Sequence, residues 1–185
     1  MPKLRALLAA AALAFAGGAP ALVQPPSDSL PVTARSWRSH PKILAVRRLV
    51  KAHQAATAVR RWLPDPARRC RSPAGASAAE AIAIRDEHQR IRTYVVTESS
   101  EGSAYRIEHH YDGLGFLRFA LARAVAANGS SVEYRIYFDE WGKELWREVR
   151  ARGTGFTFLR PPEFPDAALV RDPVVAAAIP LRCEP

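Results

Sequence analysis

The motif aromatic–Asp–x–x–Gly occurs twice, 27 positions apart, as Tyr111-Asp112-Gly113-Leu114-Gly115 and Phe138-Asp139-Glu140-Trp141-Gly142. Asp opens a tight turn because its carboxylate accepts hydrogen bonds from backbone N–H groups two residues on. Gly supplies the left-handed conformation that lets a short hairpin loop close. Each copy therefore predicts two antiparallel strands joined tightly. A looser copy, Asp86-Glu87-His88-Gln89, lies 26 positions before Asp112, with Gln in the place of Gly. It predicts a third hairpin, with strands over about 80–85 and 90–98. Two features count against it. Ile82 and Ile84 fall on the opposite parity from Tyr111 and Phe138, and Gln is poorer than Gly at positive φ.

The flanking residues alternate as half-buried strands do. Tyr105, Ile107, His109 and Tyr111 interleave with Ala104, Arg106, Glu108 and His110. Val132, Tyr134, Ile136 and Phe138 interleave in the same way with Glu133, Arg135, Tyr137 and Asp139. That is the period of two expected of a strand with one covered face. Phe116 to Ala127 is apolar on both parities apart from Arg118 and Arg123, as in a strand covered on both sides. Asn128-Gly129 predicts a hairpin turn of type I′. Lys143 to Ala151 is the last long strand, and Gly155 to Phe158 suggests a short edge strand. Upstream, residues 42–63 carry a helical pattern, with Ile43, Val46, Val50 and His53 near one face. Ser39 is the expected N-cap, and Pro64-Asp65-Pro66 the stop. Asp172-Pro173 predicts a helix of one or two turns near the end. The expected fold is α+β: a long N-terminal amphipathic helix packed on a five- to six-stranded antiparallel β-meander over about 80–151, with an irregular C-terminal tail. Residues 39–185 form a single domain in this reading, after a flexible lead-in at 22–38.

Residues 1–21 read as a signal peptide. Lys3 and Arg5 precede an apolar run, and Ala19-Pro20-Ala21 offers small residues for cleavage. The run is too short to span a bilayer, so no transmembrane segment is expected after cleavage. The mature chain is expected in the periplasm or outside the cell. In such an oxidising compartment the two cysteines, Cys70 and Cys183, predict one disulfide bond. The net charge is +9, and losing Lys3 and Arg5 leaves +7. Export argues against nucleic acid as the partner. Contact with an anionic envelope surface through charge alone remains an expectation.

His109-His110, beside Glu108 and Asp112, is the densest titratable cluster. Adjacent strand residues point to opposite faces, so the two histidines do not share a ligand. Two distant cysteines without suitably spaced histidines make no zinc pattern. No metal, cofactor or catalytic residue is therefore assigned. Trp141 in its turn, with Trp146, Tyr137, Arg135 and His109, forms the candidate ligand or partner surface. It is placed on the sheet face away from the helix, or in a groove lined by Trp146, Tyr137 and Arg135. From Tyr105 to Phe158, the Tyr-Asp-x-x-Gly-x-Leu run and Tyr137-Phe138-Asp139-Glu140 with Gly142-Lys143 resemble an uncharacterised family of exported bacterial proteins. The same run loosely resembles the hairpins of YD-repeat proteins. The resemblance implies a β-meander and no activity. The expected role is a non-enzymatic binding or accessory module of the bacterial cell envelope, with an unknown envelope protein or ligand as partner. The alternatives are an envelope-acting hydrolase pairing His109 or His88 with a carboxylate, and a secreted inhibitor or immunity protein.

Overall fold

The computed structural model describes residues 31–71, 77–100, 102–153 and 166–181. The signal segment, most of the lead-in, Cys183 and the expected edge strand near Phe156 lie outside these residues. One antiparallel sheet of eight strands dominates the rest: β1 Leu63–Pro64, β2 Arg68–Arg71, β3 Ser77–Arg85, β4 Ile91–Ser100, β5 Ser103–Tyr111, β6 Leu117–Ala126, β7 Ser131–Phe138 and β8 Glu144–Arg152. From β3 to β8 each strand pairs with the next. β1 and β2 lie one after the other along the same outer edge of β3.

The expected α+β fold, a long helix on a five- to six-stranded sheet, is overturned. The protein is mostly sheet, and the helix is short. Helix α1 runs Pro41–Ala58, with His40 rather than Ser39 as its N-cap. It stops before the predicted end because Arg60 turns to φ 55 and the N–H groups of Arg61 and Trp62 both donate to Ala56 O. Leu63 and Pro64 then pair with Arg85 and Ile84. An open sheet edge offers unpaired N–H and C=O groups, and here it claims Leu63, which the periodicity assigned to the helix.

The three Asp turns are built alike. In each, the Asp N–H donates to the carbonyl four residues on, and its own carbonyl accepts from the residue three on. One carboxylate oxygen accepts from the N–H groups two and four residues on. The third loop residue takes the left-handed conformation: Gln89 at φ 61, Gly115 at 90, Gly142 at 77. These are three-residue loops closed by a left-handed residue. Asn128-Gly129 belongs to the same class rather than to type I′. Gly129 has φ 79, and among the described residues only Arg60 and Gln89 are non-glycines with positive φ. Type I′ would need it at Asn128 as well.

Each Asp turn also carries a bulge. Arg85 pairs with Ile91 but Ile84 with Thr93, so Arg92 is the extra residue. The same shift leaves Arg118 extra in β6 and Leu145 extra in β8. A bulge residue points its side chain where the ladder would not. Arg92 Nε reaches Asp86 Oδ2 at 2.9 Å and Arg118 Nη1 reaches Asp112 Oδ2 at 3.2 Å.

Both faces of the sheet carry a covering element, one of them over part of its length only. On one face α1 crosses near the turns and packs Ile43 and Val46, with Trp37 just before it, against Phe119 and Tyr137. The other face holds the main core, including Ala81, Ile107, Tyr111, Ala120, Ile136 and Phe138. The sequence reading left that second face open. The C-terminal residues 166–181 close it, through a 3-10 turn at Asp166–Ala168 and helix α2, Pro173–Ala178, capped by Asp172. Sheet side chains pin this strap by its backbone. Tyr111 OH donates to Val170 O at 2.8 Å, and Arg68 Nη2 donates to Ala176 O at 3.0 Å. Arg68 also bonds Tyr94 OH.

Candidate functional site

At the turn end of the sheet the first two Asp turns and the start of α2 enclose an open cleft of ≈ 540 Å³. Its apolar walls are Ile91, Leu114, Phe116, Pro173 and Val174, and its cations are Arg85, Arg90 and Arg171. Leu114 and Val174 are 85% and 67% exposed. They stand at a loop tip and a helix start.

The arginines are held, each by groups that leave it facing the cleft. Arg85 Nε donates to both oxygens of Asp65, at 2.8 and 3.0 Å, and its Nη1 to Gln89 O at 2.9 Å. Arg90 Nε reaches Asp86 Oδ2 at 3.0 Å, and its Nη1 spans to Gly113 O in the second turn. Arg171 donates to Gly142 O in the third turn and lies 4.7 Å from the Phe138 ring centre. Burial works to raise the Asp86 pKa. The hydrogen bonds from Arg90 and His88, with the Arg92 charge, outweigh it and hold the carboxyl at about 2. The two carboxylates in the cleft are already engaged. Asp112 serves its turn and Arg118, and Asp172 accepts from Val174 N and Val175 N.

The residues singled out from the sequence do not converge. Trp141 is 75% exposed at the tip of the third turn. Tyr137, Trp146 and Arg135 do share one face, but the groove they were expected to line is filled by the chain itself. Trp37 stacks on Trp146 at 5.7 Å and 16° and tilts against Tyr137 at 6.2 Å. The guanidinium groups of Arg38 and Arg47 also lie over Trp37, 4.9 and 5.0 Å from its ring centre. Arg135 is bonded to Glu133 at 2.6 Å. His109 lies on the opposite face, fully buried. Its Nε2 accepts from Val170 N at 3.1 Å, so Nδ1 carries the proton and donates to Tyr94 O, also at 3.1 Å. Burial lowers its pKa to about 4, against the backbone of Tyr94 and Ala168, which favours the protonated ring. His109 is thus a neutral staple for the strap, with both nitrogens engaged.

A second histidine pair was not legible in the sequence. His53 of α1 meets His110 of β5 beneath the helix, Nδ1 to Nδ1 at 3.3 Å. One ring must donate and the other accept, so the two hold opposite tautomers. Burial first, then the charges of His110 and Arg92, lowers His53 to about 3. Burial lowers His110 to about 4, with Glu108 opposing. His110 Nε2 is buried without a hydrogen-bond partner among the described residues, and Glu108 Oε2 lies 4.0 Å away. The His53 periodicity placed it on the buried helix face. Only the packing angle of α1 could bring it to His110. Among the described residues no three His, Cys, Asp or Glu side chains are grouped to hold a metal ion.

No family model, curated protein or solved structure matches this chain. The likeness of its turns to those of other meanders therefore brings no residue roles with it.

Proposed function

We propose that the protein is an exported, non-enzymatic binding or accessory module of the bacterial cell envelope, and that the turn-end cleft is its ligand site. One observation carries the reading: apolar side chains, with Leu114, Phe116 and Val174 exposed, and three arginines held in place converge on one concavity at the sheet's end. Ligand sites combine apolar lining with a few fixed polar groups in this manner. The ligand class this suits is an apolar segment that bears a carboxylate or other anion. The hydrolase alternative draws no support from His109, which is sealed between sheet and strap. His88 stands exposed at a loop tip, and neighbouring Glu87 bonds Arg61 and Trp62.

A pull-down from envelope extract with the wild-type chain and a Leu114→Asp/Val174→Asp variant tests the site. The expected result is a partner retained by the wild type and lost by the variant. Recovery of no partner at micromolar bait, or equal recovery by both chains, would remove the cleft reading. Export carries the disulfide with it as part of the proposal. Cys70 is half-buried in β2, whereas Cys183 lies outside the described residues. Intact mass after alkylation, with and without reductant, checks the bond. Addition of label to the unreduced chain argues against it.

A further inference from the structure

Helix α1 covers its sheet face only near the turns. The far half of that face, across β5 to β8, is left uncovered by the described residues and carries rows of paired charges. Arg106, Arg123, Glu133 and Arg150 are successive cross-strand partners, and Arg135 pairs with Glu148 in the next row. The ion pairs are Arg106–Glu108 at 3.1 Å, Arg123–Glu133 at 2.8 Å, Arg135–Glu133 at 2.6 Å and Arg150–Glu148 at 3.0 Å.

The charges are layered. The Glu108, Glu133 and Glu148 side chains are 22%, 20% and 14% exposed, whereas Arg106, Arg123 and Arg150 are 47%, 51% and 45% exposed. The carboxylates lie at the base and the guanidinium groups stand above them. Arg106, Arg123 and Arg135 reach the carboxylates through Nε, and Arg106 also donates through Nη1 to Thr97 Oγ1 at 3.5 Å. A surface that counts as nearly balanced in the sequence therefore presents positive charge outward. Arg152, exposed at the end of β8, extends it.

We propose that this arginine-topped half-face docks on a bilayer rich in anionic phospholipid, with the guanidinium groups taking headgroup phosphates. Charge complementarity selects the sign of the partner. The shape selects a planar one. Four strands at about 4.8 Å spacing set the arginines over a patch about 15 Å wide, which a lattice of headgroups matches and a single small anion does not. Guanidinium forks suit phosphate oxygens. Val125, 46% exposed beside Arg123, supplies an apolar contact at the rim. The surface lies at the end of the sheet away from the cleft, so it does not rest on the ligand reading.

Co-sedimentation of the full chain with vesicles decides it. Vesicles of phosphatidylglycerol and phosphatidylcholine in equal parts should bind the protein, and phosphatidylcholine alone should not. Each arginine near such a surface is worth about fivefold in binding, so Arg123→Gln/Arg150→Gln should lose roughly twenty- to thirtyfold. Arg48→Gln/Lys51→Gln on the exposed side of α1 removes the same charge elsewhere and should lose much less. Val125→Glu places a negative charge in the patch without breaking an ion pair, and it should weaken binding even if the arginine variant folds poorly. Failure to bind the anionic vesicles, an equal loss in the helix variant, or binding to soluble polyphosphate without binding to vesicles would each overturn the proposal.

Discussion

Asp86 and Asp139 sit in turns with the same backbone bonds, and their carboxylates do different work. Asp86 is 3% exposed and neutralises two arginines, Arg90 and Arg92. Asp139 is half-buried, and Leu145 stands where the first two copies have an arginine at the bulge. Leu145 instead packs beside Trp146 under the Trp37 cluster. The turn chemistry of Asp and a left-handed residue sets the chain path. The residue six positions on decides whether the second carboxylate oxygen becomes part of an ion network.

That comparison can be broken most directly by truncating each Asp. Asp86→Ala leaves Arg92, only 14% exposed, without its anion. It should cost about 3–5 kcal/mol by denaturant unfolding. Asp139→Ala loses backbone acceptors but strands no buried charge, so about 1–2 kcal/mol is expected. Equal costs would show that the arginines add nothing beyond the turn. Asp86→Asn sharpens the test, because it keeps the turn acceptor and removes only the charge. Its cost should fall between the two.

Acid should act through the same interior. His53, His109 and His110 have folded pKa values of about 3, 4 and 4, below the unfolded value of 6.5. Below pH 6.5 the unfolded chain binds more protons, so stability falls with pH until the folded values are passed. Asp86, also lowered in the folded state, adds a further loss as pH falls from about 4 to about 2. The midpoint temperature should hold above pH 7 and drop steadily from 6.5 towards 4. His53→Leu should flatten part of that drop. A profile identical to the wild type would place the acid response elsewhere.

The smallest effect concerns the left-handed loop residue. Gln89 holds φ 61 where the other two copies use glycine. Gln89→Gly should stabilise by about 0.5–1 kcal/mol, and Gly142→Ala should destabilise by about 1 kcal/mol. Thermal melts of the two variants check the opposite signs.

Much of the hairpin framework was legible because it is local. Asp112 and Asp139 choose their turns through bonds to residues two and four positions on, and the alternation from Tyr105 to Tyr111 marks one covered face. Asp172-Pro173 likewise announces α2 through its own cap. The misreadings share one cause, which is competition between distant segments. The helix pattern to Leu63 is real as a periodicity, but the edge of β3 takes Leu63 and Pro64. Trp146 and Tyr137 are cross-strand partners, but Trp37 stacks on the one and tilts against the other. His109, assigned to the candidate surface, instead has its ring buried and bonded to Val170, 61 positions away.

Where the chain reverses follows from local residues, because a carboxylate and a left-handed residue act within five positions of one another. Tertiary structure alone decided what covers each face. It set α1 across one end of the sheet, the strap over the opposite face, and the arginines above the glutamates on the half left open. Those choices depend on burial and hydrogen-bond partners brought together from far along the chain, and no local pattern specifies them.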